Sequence, residues 1–125
     1  MTARQQRQLE RLLYHVTALH LGDSINADTE AYEIAFELGV KTIGHPPDNK
    51  SRRSFCDYHE EREPKPYLDR NRDIASEGEG GLIAAPSGWT EVFRGSGTWA
   101  TIRYARKLKR KIWIIVPDGT IIFEK

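Results

Sequence analysis

Ser96, Gly97 and Thr98 stand directly before a run of helical spacing, and together they have the make-up of an anion site. Glycine lets a ligand approach the backbone closely, and the amides that open a helix, backed by the helix dipole, favour negative charge. The two hydroxyls add donors. Ser and Thr are also preferred as ordinary helix N-caps, so these three residues alone serve either purpose. Arg70-Asn71-Arg72 is the second candidate, because the guanidinium fork matches phosphate oxygens. Two positions apart on a helix, the arginines point different ways, so at most one faces a pocket.

Asp23 and Asp28, close to Gly22 and Ser24, form the third candidate. An acidic side chain near a strand end hydrogen-bonds sugar hydroxyls in dinucleotide folds. Asn26 or Asp28 can instead cap the helix that follows, a role that accounts for one acid and not both. Cys56, Asp57, His59 and Glu60 gather metal-ligating types, but one cysteine without a second Cys–His pair does not make a zinc site. No metal and no cofactor are expected. The basic run from Arg103 to Lys111 falls in the last turns of a helix, where cations complement the dipole.

The elements that must hold these residues follow from periodicity. Leu9, Leu12, Leu13 and Val16 predict an amphipathic helix over 5–16, followed by a short buried strand over 17–21. A helix over 27–38, ending at Gly39, and a strand over 40–44 come next. The stretch 48–66 is polar, without period, and reads as a long loop of the kind that forms lids. A helix over 67–76, an apolar strand over 81–85, a helix from 98 to 109 and strands over 112–116 and 121–123 complete the chain. Helices alternating with short apolar strands predict an α/β domain over 1–125. Its sheet should be mostly parallel, with four to five strands and helices on both faces. Ligands in such sheets lie beyond the carboxyl ends of the strands. Gly22-Asp23-Ser24 with Asp28, His45-Pro46-Pro47, and the loop from Pro86 to Thr98 all fall there.

Bulk properties narrow the partners. With 125 residues and 38% hydrophobic content, the chain supports one core. The formal net charge of +1 argues against binding nucleic acid through bulk electrostatics. No apolar run has the length of a bilayer crossing, so no membrane partner is expected. A single cysteine and no signal-peptide pattern make a reducing cytoplasm the expected setting.

Arg70-Asn71-Arg72-Asp73-Ile74-Ala75, Gly81-Leu82-Ile83-Ala84-Ala85-Pro86, Ser96-Gly97-Thr98 with Thr101 and Ala105, and the segment from Ile112 to Gly119 resemble, in order and spacing, the frame of the SLOG superfamily. That superfamily joins DprA, the LOG phosphoribohydrolases and the small YspA-like proteins. Leu21-Gly22-Asp23-Ser24 with Asp28, and His45-Pro46-Pro47, are most similar to the YspA-like branch. The resemblance implies a three-layer Rossmann-like fold and a pocket for a nucleotide or ADP-ribose-like ligand. It places a phosphate at Gly97 and Thr98 and an arginine at Arg70 or Arg72.

Two departures from the family stand out. LOG hydrolases carry a glutamate after Gly-Thr, where this chain has Trp99, Ala100 and Thr101, so a hydrolase would have to recruit Asp23, Asp28 or Glu91. The family also places a central strand and a glycine turn ahead of its first helix, whereas this chain opens on the helix. A late annotated start, a sheet rebuilt without that strand, or a substitute element each account for this. Homodimer formation or insertion of the terminal strand over 121–123 would be rescues.

The leading expectation is therefore binding of a nucleotide-like small molecule. Phosphate would sit at Ser96-Gly97-Thr98 with Arg70 or Arg72, a sugar hydroxyl at Asp23 or Asp28, and Trp89 or Trp99 would be available to stack on a base. An N-glycosidase acting on a nucleoside monophosphate is the alternative, and single-stranded DNA binding in the manner of DprA comes third.

Overall fold

The computed structural model describes all 125 residues. Thr2 starts the first helix: its hydroxyl accepts the Gln5 amide at 3.1 Å, while the Gln5 side chain accepts the Thr2 amide at 2.9 Å. This reciprocal capping box fixes the start of α1, Ala3–Leu13. The helix stops short of Val16, whose amide turns back to the Leu13 carbonyl at 3.1 Å and leads into the strand. Strand β1 (Ala18–Leu21), helix α2 (Ala27–Leu38) and strand β2 (Lys41–Gly44) follow as the periodicity predicts.

The stretch 48–66 holds more than a plain loop. It contains a 3₁₀ turn, Lys50–Arg52, and a two-residue strand β3, Glu60–Glu61, that adds to β2 in parallel. Two exposed acids carry no strand signal; edge pairing and the Lys41–Glu60 ion pair place them. Helix α3 (Tyr67–Glu77), strand β4 (Leu82–Ala84), helix α4 (Gly97–Lys107), and strands β5 (Ile112–Ile115) and β6 (Ile121–Glu124) complete the fold.

The architecture is mixed α/β, but the strands do not form the one sheet expected. They form two sheets of three, in the orders β1-β2-β3 and β4-β5-β6. The first is parallel throughout; in the second, β4 runs parallel and β6 antiparallel to β5. The terminal strand lies on the far edge of β5, where the tight Pro117–Gly119 turn returns it, so it does not insert centrally.

Two apolar clusters hold the layers. Trp99, Ile102 and Ala105 of α4 bury Leu82, Ala84, Ile112 and Ile114. Leu9 and Leu13 of α1 pack with Ala31 and Ala35 of α2, Leu21 of β1, and Ile115 of β5. Alternation along β5 thus sends Ile114 to α4 and Ile115 to α1. Helix α1 therefore touches both sheets. Buried Gln5 adds a polar clamp, donating to the Pro86 and Ile115 carbonyls at 2.8 Å each. No helix is long and apolar enough to cross a membrane.

Ile115→Ala removes the fully buried residue through which the second sheet enters the α1–α2 cluster. Unfolding in urea should show a loss of about 3 kcal/mol. Tryptophan fluorescence and circular dichroism should move together, because α1 couples the sheets.

Candidate functional site

An 870 Å³ cavity lies between the two sheets, walled by β1 on one side and β4 on the other. Most of it is apolar. Its polar end sits at the carboxyl ends of the strands, where Gly22, Ser24, Asp28, Arg70, Gly97 and Thr98 meet. Six of the residues singled out in the sequence are thereby brought together.

Arg70 is the charged centre of that end and is only 2% exposed. Its guanidinium donates to the Gly22 carbonyl and lies 3.4 Å from the Ser24 hydroxyl and the His45 carbonyl. Gly22 is required by this approach, since a Cβ there would meet the guanidinium carbon at 3.0 Å and the Asp28 carboxylate at 2.9 Å. The Arg70 Nε is buried and has no hydrogen-bond partner. Of the two arginines, Arg70 faces the cavity, as only one could. Arg72 lies outside it, over the Tyr104 ring at 5.6 Å, while Asn71 still lines the wall.

Asp28 accepts the Ser24 amide at 3.0 Å rather than capping α2. Asn26 holds the cap position without a side-chain bond. Burial pushes the Asp28 carboxyl up, against the pull of the Ser24 amide and of the Arg70 charge.

Ser96 caps α4 by accepting the Trp99 amide at 3.2 Å, so its hydroxyl has an ordinary structural use. The first two helical amides, of Gly97 and Thr98, have no partner within the helix. The Tyr67 phenol lies against Gly97 so closely that a Cβ would meet its ring carbon at 2.6 Å. The same ring stacks under Arg70, 4.7 Å from the guanidinium carbon. Pro86 is buried and does not line the cavity; its carbonyl is held by Gln5.

Two sequence candidates are committed elsewhere. Asp23 is 0% exposed and does not line the cavity. Its carboxylate accepts from Tyr58 at 2.7 Å, Arg53 at 2.6 Å and Ser54 at 2.9 Å. Burial alone would raise this carboxyl, but the three donors and the Arg53 charge hold it below its usual value. Asp23 therefore anchors the 48–66 segment. Glu91 pairs with Arg103 at 3.2 Å and Arg106 at 2.9 Å, away from the cavity. Trp99 is core, and Trp89 is 61% exposed outside the cavity.

Sequence reasoning named His45 at a strand end but missed His20 and Glu77, with which it comes together. His20 of β1 lies 2.8 Å from His45, ring nitrogen to ring nitrogen, and His45 lies 3.9 Å from the Glu77 carboxylate. Their ligating atoms fall within 4.8 Å of one another, a grouping of metal-ligating types. Burial lowers both rings and takes His45 to about 4, which favours a neutral donor–acceptor pair. Single residues on three separate elements leave no spacing signal. Cys56, Asp57, His59 and Glu60 form no such group; His59 instead accepts the Thr42 amide at 3.0 Å.

No family model, curated protein or solved structure matches the chain.

Two tests follow from these geometries. Asp23→Asn leaves Arg53 with Glu61 as its remaining charge partner and should cost roughly 3 kcal/mol, with faster proteolysis confined to the 48–66 segment. Because the folded Asp23 value is depressed, its stabilisation is present above the unfolded value of about 3.9 and is lost as pH falls through the folded one. In a proton NMR titration, the His45 ring should remain neutral through pH 6 and titrate near 4.

Proposed function

We propose that the protein binds a phosphorylated, nucleotide-like ligand at the polar end of the cavity. The single observation that carries this reading is Arg70. A guanidinium stays charged at all ordinary pH, and a buried charge needs an anion or a full set of acceptors. Arg70 has carbonyl and hydroxyl neighbours, a carboxyl whose ionisation burial opposes, and an Nε with no acceptor. A phosphate oxygen reached by Arg70 and by the Gly97 and Thr98 amides would supply the missing acceptor and meet the helix dipole. Asp28, lining the same end, would take a ribose hydroxyl.

The SLOG resemblance supports this assignment, since it assigns phosphate to the same two residues. In this reading the two sheets are halves of a three-layer Rossmann-like arrangement, with the ligand beyond their carboxyl ends. Hydrolysis of an N-glycosidic bond would rest on Asp28, the one acidic candidate at this end with a raised carboxyl. Release of free base from a nucleoside monophosphate, lost in Asp28→Asn, would add that activity.

Isothermal titration with AMP, ADP-ribose and inorganic phosphate tests the binding. AMP or ADP-ribose should bind, and Arg70→Gln should weaken binding by about tenfold or more, the worth of one charged hydrogen bond. Thr98→Glu should abolish binding while keeping the fold, because an acid at a helix N-terminus is favourable to the helix but repels phosphate. Arg72→Ala should leave binding unchanged. A folded protein that binds none of the three ligands would overturn the assignment.

A further inference from the structure

Alternation along β1 sends Leu19 and Leu21 toward α1 and α2 and turns His20 to the opposite face, against α3. In the parallel register His20 stands beside Ile43, so His45, two residues further on, shares that face. The His45 amide donates to the Leu21 carbonyl at 2.7 Å, which carries the pairing past the end of β2. Glu77, the last residue of α3, meets the two rings from the helix side. Two paired strands and a helix end thus bring two imidazoles and one carboxylate to one place.

Bonding within this group is incomplete. The rings share one contact, His20 Nδ1 to His45 Nε2 at 2.8 Å. The second nitrogen of His45, Nδ1, lies 3.9 Å from Glu77 Oε2, beyond hydrogen-bond distance. Glu77 Oε1, by contrast, accepts from Arg62 Nε at 3.1 Å and from Nη2 at 2.9 Å. That grip leaves Oε2 to the histidines, while Arg62 shares its own charge with Glu60 at 3.1 Å. The hydrogen bonds of the three side chains run only to one another and to Arg62, so the group satisfies no backbone atom.

Two imidazoles and a carboxylate are a donor set of three-ligand sites for divalent transition metals, with a fourth position kept for water or a ligand. Magnesium and calcium take oxygen donors instead. With one nitrogen from each ring and one carboxylate oxygen, the ligand atoms here lie within 4.8 Å of one another. Ligands about 2.1 Å from a tetrahedral ion stand about 3.4 Å apart. The two rings must therefore open by roughly half an ångström from their 2.8 Å contact. No other pair has to close by more than about 1.4 Å, which rotation of the long, partly exposed Glu77 side chain supplies. Because each ligand comes from a different element, the sequence shows no metal spacing.

We propose that His20, His45 and Glu77 form a binding site for one divalent transition-metal ion, zinc or its substitute cobalt. His20 and Glu77 line the cavity, so the fourth position of the ion opens onto it. Arg62 is a positioning residue that holds the carboxylate from behind, as partners of ligating carboxylates do. The site stands on these three side chains and does not depend on what the polar end binds.

Calorimetric titration of the untagged 125-residue protein, first cleared of metal by a chelator, tests this with zinc, cobalt and magnesium. One zinc per chain should bind, and cobalt should compete for the same place with the visible bands of a four- or five-coordinate ion. Magnesium should not compete. His20→Ala should weaken zinc binding about a hundredfold or more and Glu77→Gln about tenfold or more, since even a residue behind a ligand is worth about ten- to a hundredfold. Both side chains reach the cavity surface, and circular dichroism checks that the fold survives their loss. Exposed His15→Ala and Cys56→Ser should leave binding unchanged. In nitrogen-15 spectra of the wild-type chain, zinc should shift one ring nitrogen each of His20 and His45 and leave the His15 and His59 rings in place. A folded protein that binds neither zinc nor cobalt overturns the proposal. So do zinc binding that survives His20→Ala, equal binding of magnesium, and His20 and His45 rings that stay unshifted at zinc saturation.

Discussion

A permanently charged guanidinium sits buried between α3 and the turn after β1, and the surrounding structure is arranged around holding it. Gly22 lacks a side chain because Arg70 and Asp28 occupy its Cβ position. Tyr67 offers its ring face to the cation and its edge to Gly97, so one phenol links the arginine to the start of α4. Ser24 is shared, its amide given to Asp28 and its hydroxyl facing Arg70. Each of these groups would be replaceable alone. Together they leave one polar corner in a mostly apolar cavity, and that corner is short of an acceptor.

The opposite side of the same turn is held by different chemistry. Asp23, with a φ of 53°, faces away from the cavity and gathers Arg53, Ser54 and Tyr58 from the long segment after β2. Adjacent residues thus do separate work: Gly22 and Ser24 shape the site, and Asp23 fastens the segment that covers the edge of β2. Arg53 continues the network to Glu61 at 2.9 Å, which ties β3 to the same anchor. The turn after β1 is therefore hydrogen-bonded on both sides, as the placing of donors to within a fraction of an ångström requires.

Much of this was legible from residue types and spacing. Period-3.6 and buried runs placed every helix and every strand except β3, and the expected topology put Gly22, Asp28, Gly97 and Thr98 at the strand ends, while Arg70 stayed undecided against Arg72. What spacing does not carry is which of two neighbouring polar groups turns inward. Asp23 and Asp28 look alike in sequence; one is taken up by a loop 30 residues away and the other lines the cavity. Gln5 stands among arginines and glutamines ahead of the first leucine, yet it is buried because two carbonyls across the sheets need a donor. The His20–His45–Glu77 group depends on register between β1 and β2 and on the end of α3, none of which a local pattern records. The division into two sheets was likewise hidden, because every strand except β3 is apolar enough to sit in one continuous sheet.

Binding in the proposed manner requires Arg70 to meet the ligand anion. Nitrogen-15 NMR of the arginine side chains during addition of AMP reads that contact directly. The account predicts that the Arg70 Nε–H signal moves downfield and becomes protected from exchange, with the Gly97 and Thr98 amides shifting along the same binding curve. An Arg70 Nε–H that stays unmoved while other residues saturate would contradict it.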